Sequence, residues 1–158
     1  MLDFQMRWTE ILLVGLARHL LGLVWYSPLL FGAIWARHLG CTQQAMRQRL
    51  LRVFPLEFVC SCIIAFVLAQ VLNFAGAIDW VMGVVVGFLM WAGFVAAATP
   101  NQVLYARRPA VVYLVDTGFS LVSLVGMGVL LATWQWDSTF SAAWDGAVQT
   151  VMRRFLHS

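Results

Sequence analysis

Four stretches of this chain are apolar over nearly the length needed to cross a bilayer. They run from about Thr9 to Tyr26, Pro55 to Phe74, Trp80 to Thr99 and Ala110 to Trp134. At about 1.5 Å per residue, the first just spans a hydrocarbon core of about 30 Å. Between the first and second lies the block Trp25-Tyr26-Ser27-Pro28-Leu29-Leu30-Phe31-Gly32. Ser27 suits the cap of a new helix, and Pro28 suits its first position, where no N–H is needed. Trp25 and Tyr26 form the aromatic pair expected at a headgroup boundary. An elbow is predicted there, followed by a helix over Pro28 to Leu39 that is too short to span and ends at Gly40, a good residue just past a helix end. Thr42 caps a further short stretch carrying Arg47, Arg49 and Arg52, and Pro55 again marks a helix start.

Gly76 through Asp79 reads as a tight turn, and Pro100 to Pro109 as a polar loop. Beyond Trp134 and Trp136 the pattern changes. Phe140, Trp144, Val148, Val151 or Met152, and Phe155 recur every three or four residues, with Asp145, Gln149, Arg153 and Arg154 on other faces. That spacing predicts an amphipathic helix lying on the membrane or docked on a partner. The expected fold is an all-α integral membrane protein. Residues 1–136 hold four transmembrane helices with a short interfacial helix after the first, and residues 137–158 form the amphipathic tail.

Composition supports this strongly. The chain is 62% hydrophobic and 11% charged, against about 45–50% and about a quarter for soluble domains. A water-soluble fold this apolar would expose aggregating patches. The basic residues are all Arg and fall in the gaps between apolar segments, which argues for membrane topology rather than nucleic-acid binding. Six Arg flank the first and third gaps (Arg37, Arg47, Arg49, Arg52, Arg107, Arg108), against Arg7, Arg153 and Arg154 on the other side. This distribution predicts a bacterial inner-membrane protein with cytoplasmic Arg-rich loops and both termini outside. Asp3, Glu10 and Arg18 are out of place in a cleaved signal peptide, so the first helix is expected to stay. Cys41, Cys60 and Cys62 have neither the spacing nor the partners of a zinc site, and imply no disulfide framework.

The elbow block carries a family resemblance, together with Trp35, Glu57-Phe58, Ala69, Trp91, Gly93-Phe94-Val95, Arg108-Pro109, Asp116, Gly118, Leu121-Val122-Ser123-Leu124, Met127-Gly128 and Trp134. Over residues 8–134 the chain resembles bacterial membrane proteins of the domain of unknown function 1761 family. The resemblance implies four membrane helices and brings no established activity. Ala33 stands where family members often have a basic residue, and many members end soon after the fourth helix.

Ionisable groups inside a bilayer are the candidate site, because each costs about 2.5–3.5 kcal/mol at a helix centre. Arg18, His19, Glu57 and Asp116 qualify. Arg18 and Asp116 fall at similar depths, roughly 12 Å and 9 Å, so a buried Arg18–Asp116 pair is expected. Glu57 sits where an acid would complement a helix start, or else joins a cluster with Arg18. His19 suits a structural or lipid-facing role, with a bound pigment or haem left open. Asp116, Ser120, Ser123 and Met127 form one stripe that should face inward. Gly83 and Gly87 form a GxxxG pattern that marks a close helix contact, within the chain or between chains. No Ser-His-Asp set, paired carboxylates, phosphate loop or metal cluster appears, so no enzyme and no cofactor is expected, only bound lipid. The leading expectation is a structural or accessory protein, associating with itself or with other membrane subunits. The alternative is a small transporter or channel with an Arg18–Asp116 site.

Overall fold

The computed structural model describes residues 8–38, 40, 43–76, 79–105 and 109–134, which form helices joined by turns and short bends. The amphipathic tail expected over 137–158, the leader before Trp8, Trp136, Cys41, Thr42, and Arg107 and Arg108 lie outside the described residues.

Helix α1 covers Trp8–Trp25, and α2 covers Gly32–His38. Residues 26–31 are turn, so the second helix begins four residues later than Pro28 suggested. Ser27 does not cap a following helix. Its hydroxyl donates back to the Val24 carbonyl at 2.7 Å, closing the end of α1. The Phe31 and Gly32 amides then donate to the carbonyls of Trp25 (3.1 Å) and Ser27 (3.0 Å), which folds the elbow tightly. Gly32 is required sterically, because a Cβ there would collide with the Tyr26 carbonyl.

Helix α3 runs unbroken over Gln43–Phe74, with Pro55 inside it. This corrects the two-segment expectation. Gln, Ala, Met, Arg and Leu before Pro55 favour helix, and the lost N–H frees a single carbonyl near the Arg-bearing end, a defect that membrane helices tolerate. At 32 residues the helix is about 48 Å long, so its first turns extend beyond the apolar stretch Arg52–Phe74. Gly40 (φ +65°) and Gly76 (φ +60°) adopt the left-handed conformation past their helix ends, as expected for Gly40.

Helix α4 covers Trp80–Met90, with Asp79 accepting from the Met82 amide at 2.7 Å as its N-cap. A π-helical segment, Trp91–Ala96, follows and replaces the regular helix expected to Thr99. Its signature is the Ala97 amide donating to Ala92 five residues back. The expected loop contains a short α5, Asn101–Leu104, and α6 covers Ala110–Trp134.

The helices alternate in direction. Along α1 and α3, Trp8 stacks on Phe66, Gly15 meets Cys62 and His19 meets Phe54, an antiparallel order. Likewise Gly83 meets Gly128 and Gly87 meets Leu124, so α4 is antiparallel to α6. The GxxxG face is therefore used within the chain. Ile11, Val14, Leu68, Leu72, Val86, Met127 and Leu131 form the shared core. Outward faces carry large exposed apolar side chains such as Leu12, Leu16, Val59, Ile63, Phe88 and Leu114. In water this surface would aggregate; facing lipid it needs no cover. Three segments are long and apolar enough to cross a membrane: Trp8–Trp25, Arg52–Phe74 and Ala110–Thr133. The fourth expected span is the shorter apolar run Trp80–Ala96.

Candidate functional site

Aromatic donors from the elbow, α2 and the π-helical segment converge on one short piece of α6. The Trp25 Nε1–H donates to the Val115 carbonyl (3.2 Å), and the Trp91 Nε1–H to the Thr117 carbonyl (2.9 Å). Between them, Asp116 Oδ1 accepts from both the Tyr26 hydroxyl (2.9 Å) and the Trp35 Nε1–H (2.8 Å). Trp25 and Tyr26 are thus tied to α6 rather than serving only as headgroup anchors.

Arg18 takes a different partner from the one expected. Its Nη1 donates to Glu57 Oε1 at 2.9 Å and to Ser61 Oγ at 2.6 Å, and its guanidinium lies 5.1 Å from the Phe119 ring centroid. Ser61 in turn donates to the Glu57 carbonyl (2.8 Å). Glu57 is far from a helix start, because α3 begins 14 residues earlier, at Gln43. The clustered alternative is the one realised. The Arg18 side chain is 10% exposed and that of Glu57 50%.

His19 is 4% exposed, set edge-on to Phe54 (4.2 Å between centroids) and Phe58 (5.8 Å). Neither of its ring nitrogens has a hydrogen-bond partner, and the buried Arg18 Nε has none either. Ser120 donates to the Asp116 carbonyl and Ser123 to the Ser120 carbonyl, so both hydroxyls are turned onto their own helix. Along the α6 stripe, Ser123 and Met127 are buried, while Asp116 and Ser120 are half-buried beside open space.

That space is a cavity of about 350 Å³ between α1, α3 and α6, with Trp35 of α2 at one side. Arg18, His19, Tyr26, Glu57, Asp116, Phe119 and Ser120 line it, with Phe54 and Val53. Arg18 and Asp116, expected to form a pair, face a common cavity while bonded to separate partners. A second space of about 90 Å³ lies between α6 and the π-helical region, and it shares Asp116 and Ser120 with the first. Gly83 and Gly87 lie at the α4–α6 crossing, away from both. Among the described residues, no group of three or more His, Cys, Asp or Glu could hold a metal ion.

Sequence reasoning missed Ser61, Trp35 and Phe119 as parts of the site. Each carried a signal: Ser61 lies one turn beyond Glu57, Phe119 nearly one turn beyond Asp116, and Trp35 one turn after the elbow closes.

Residues 9–132 match the family model described as Protein of unknown function (DUF1761). The chain belongs to the DUF1761 family. In this DUF1761 protein every residue lining the two cavities lies within the matched region, and the tail after Trp136 lies beyond it. No curated protein and no solved structure matches the chain.

Proposed function

We propose that this DUF1761 protein is a non-enzymatic carrier or channel of the bacterial inner membrane, with four crossing segments and a solute site between α1, α3 and α6. The supporting observation is the cavity itself. A structural clamp would be closed around its charges, whereas Arg18, Glu57 and Asp116 border about 350 Å³ of open space. Such a volume falls in the size range of small-molecule pockets. Groups this costly to place in a bilayer are most readily explained by a pathway or binding site.

One motive for the accessory reading, a GxxxG face free to meet another chain, is taken up inside this one, because Gly83 and Gly87 pack against Gly128 and Leu124. The fourth crossing is supported by packing. From Trp80 to Ala96, α4 and the π-helical segment run alongside α6, with Gly83 at Ala132 and the Ala96 carbonyl accepting from the Tyr113 hydroxyl. Four crossings also agree with the Arg distribution, which puts the Arg-rich connections in the cytoplasm.

Cysteine labelling tests the proposal. In a background with Cys41, Cys60 and Cys62 replaced by Ser, Ser120→Cys should react in membrane vesicles with a small, water-soluble, positively charged thiosulfonate. Val122→Cys, on the exposed face of α6, should react only with a lipid-soluble maleimide. If Ser120→Cys resists the water-soluble reagent from both sides of the membrane, the cavity is not on a solute pathway.

A further inference from the structure

We propose that the cavity between α1, α3 and α6 takes an organic monocation, an ammonium group on an apolar or aromatic body. This rests on the cavity being a solute site, as proposed above, and specifies what enters it.

The first ground is charge. Among the described residues, three charged side chains line the cavity: Arg18, Glu57 and Asp116. Arg18 and Glu57 neutralise one another across 2.9 Å. Among the described residues, the side-chain donors to Asp116 are neutral, the Tyr26 hydroxyl and the Trp35 indole N–H. With His19 counted as neutral, the lining carries one formal negative charge more than positive. In the low dielectric between membrane helices that difference is felt strongly. A monocation cancels it. An anion doubles it, and a zwitterion leaves it where it was.

The second ground is the wall. Tyr26 and Trp35 meet edge to face with centroids 5.8 Å apart, and both point their polar tips at the same Asp116 oxygen. Phe119 packs against Tyr26 at 5.5 Å, and Phe54 borders the other side. Aromatic faces gathered around a carboxylate attract ammonium groups through the ring quadrupole, most strongly where water is excluded.

The third ground is unused hydrogen-bonding capacity. His19 lines the cavity and is almost wholly buried, yet both its nitrogens lack partners. Buried polar groups are normally satisfied. A neutral imidazole keeps one acceptor nitrogen, which suits the N–H of a protonated amine. A finished structural clamp would have no such vacancy in its polar shell.

The test compares four soluble ligands of similar shape by titration calorimetry on the full-length protein in detergent micelles, with empty micelles as the blank. They are the protonated amine N-methylbenzylammonium, whose N–H groups can reach a His19 nitrogen, the neutral N-benzylacetamide, the anion phenylmethanesulfonate and the zwitterion phenylalanine. The cation should bind at least tenfold more tightly than any of the other three. Asp116→Asn keeps an acceptor for Tyr26 and Trp35 while removing the charge, and should weaken cation binding at least tenfold. Glu57→Gln, at an exposed position that does not hold α6, should also weaken it, because it leaves Arg18 unopposed. If the amide, sulfonate or zwitterion binds as tightly as the cation, the cation assignment is overturned and the cavity remains a binding site. If the cation binds both variants as it binds the parent, the assignment is likewise overturned. Binding of none of the four overturns the assignment and the solute-site proposal together.

Discussion

Replacing Gly87 by Ala tests the close contact between α4 and α6. A Cβ on Gly87 would lie 2.6 Å from the Leu124 carbonyl oxygen and 2.9 Å from the Val125 Cα. Both obstacles are backbone, so no side chain can swing aside. Ordinary contact begins at 3.4 Å, and α4 must therefore move off α6 by about 0.8 Å, a gap that forfeits a quarter to a half of each dispersion contact it opens. If the crossing holds about 40–60 atom contacts, as one buried leucine does, at about 0.1–0.2 kcal/mol each, the loss is about 1–6 kcal/mol. Measured costs of overpacking narrow this to about 1–3 kcal/mol. The matched control is Gly126→Ala, on the same pair's outer side with nothing within 4 Å of the new methyl; it should be neutral, or stabilising by up to about 1 kcal/mol from helix propensity. Thermal melts in detergent followed by circular dichroism would show the difference, at about 2–4 °C per kcal/mol for a chain of this size. Equal melting of Gly87→Ala and Gly126→Ala would refute the crossing.

Two further outcomes are expected. Gly32→Ala should collapse the yield of monodisperse protein on extraction, because its Cβ meets the Tyr26 carbonyl, whereas Gly40→Ala, at positive φ with open space around it, should cost only about 1–2 kcal/mol. In the ion pair, Arg18→Leu alone should destabilise by about 1–3 kcal/mol by leaving Glu57 and Ser61 without their donor, and adding Glu57→Leu should restore part of that; a coupling under about 0.3 kcal/mol in the double-mutant cycle, the level at which independent sites simply add, would show that the pair contributes nothing.

Where an element's ends are set by local chemistry, the sequence located it. Helix α6 begins right after Pro109 and ends at Trp134 as expected, and Gly40 supplies the left-handed turn that only a residue without a Cβ adopts freely. Where local and tertiary preferences compete, the sequence was ambiguous. Pro55 reads as a helix start, yet the residues before it are helix formers, and a single missing N–H does not outweigh them. Ser27 has two ways to use its hydroxyl, capping forward or bonding back to Val24. The choice follows from the closed turn around Gly32, and so from packing. The π-helical segment Trp91–Ala96 had no local mark, because it depends on where the Trp91 indole finds the Thr117 carbonyl on another helix.

The pairing of charges was misjudged because depth along a helix says nothing about direction around it. The information on direction was present in α1. Gly15, Arg18, Gly22 and Trp25 share one face, and small residues on it admit a neighbour closely. An α-helix does not repeat perfectly every seven residues, and the stripe drifts by about 20° per heptad. Its lower end accordingly meets α3, where a Cβ on Gly15 would lie 2.9 Å from Cys62 Sγ. Its upper end meets α6, with Gly22 against Phe119 and the Trp25 indole on the Val115 carbonyl. Arg18 falls where the stripe passes from one neighbour to the other. It reaches Glu57 on α3 while lying over Phe119 on α6. A single helix face cannot pack tightly against two neighbours at the level where it changes from one to the other, so space is left between them. The cavity lies at that level, and there polar groups from three helices face each other without displacing the apolar core above and below.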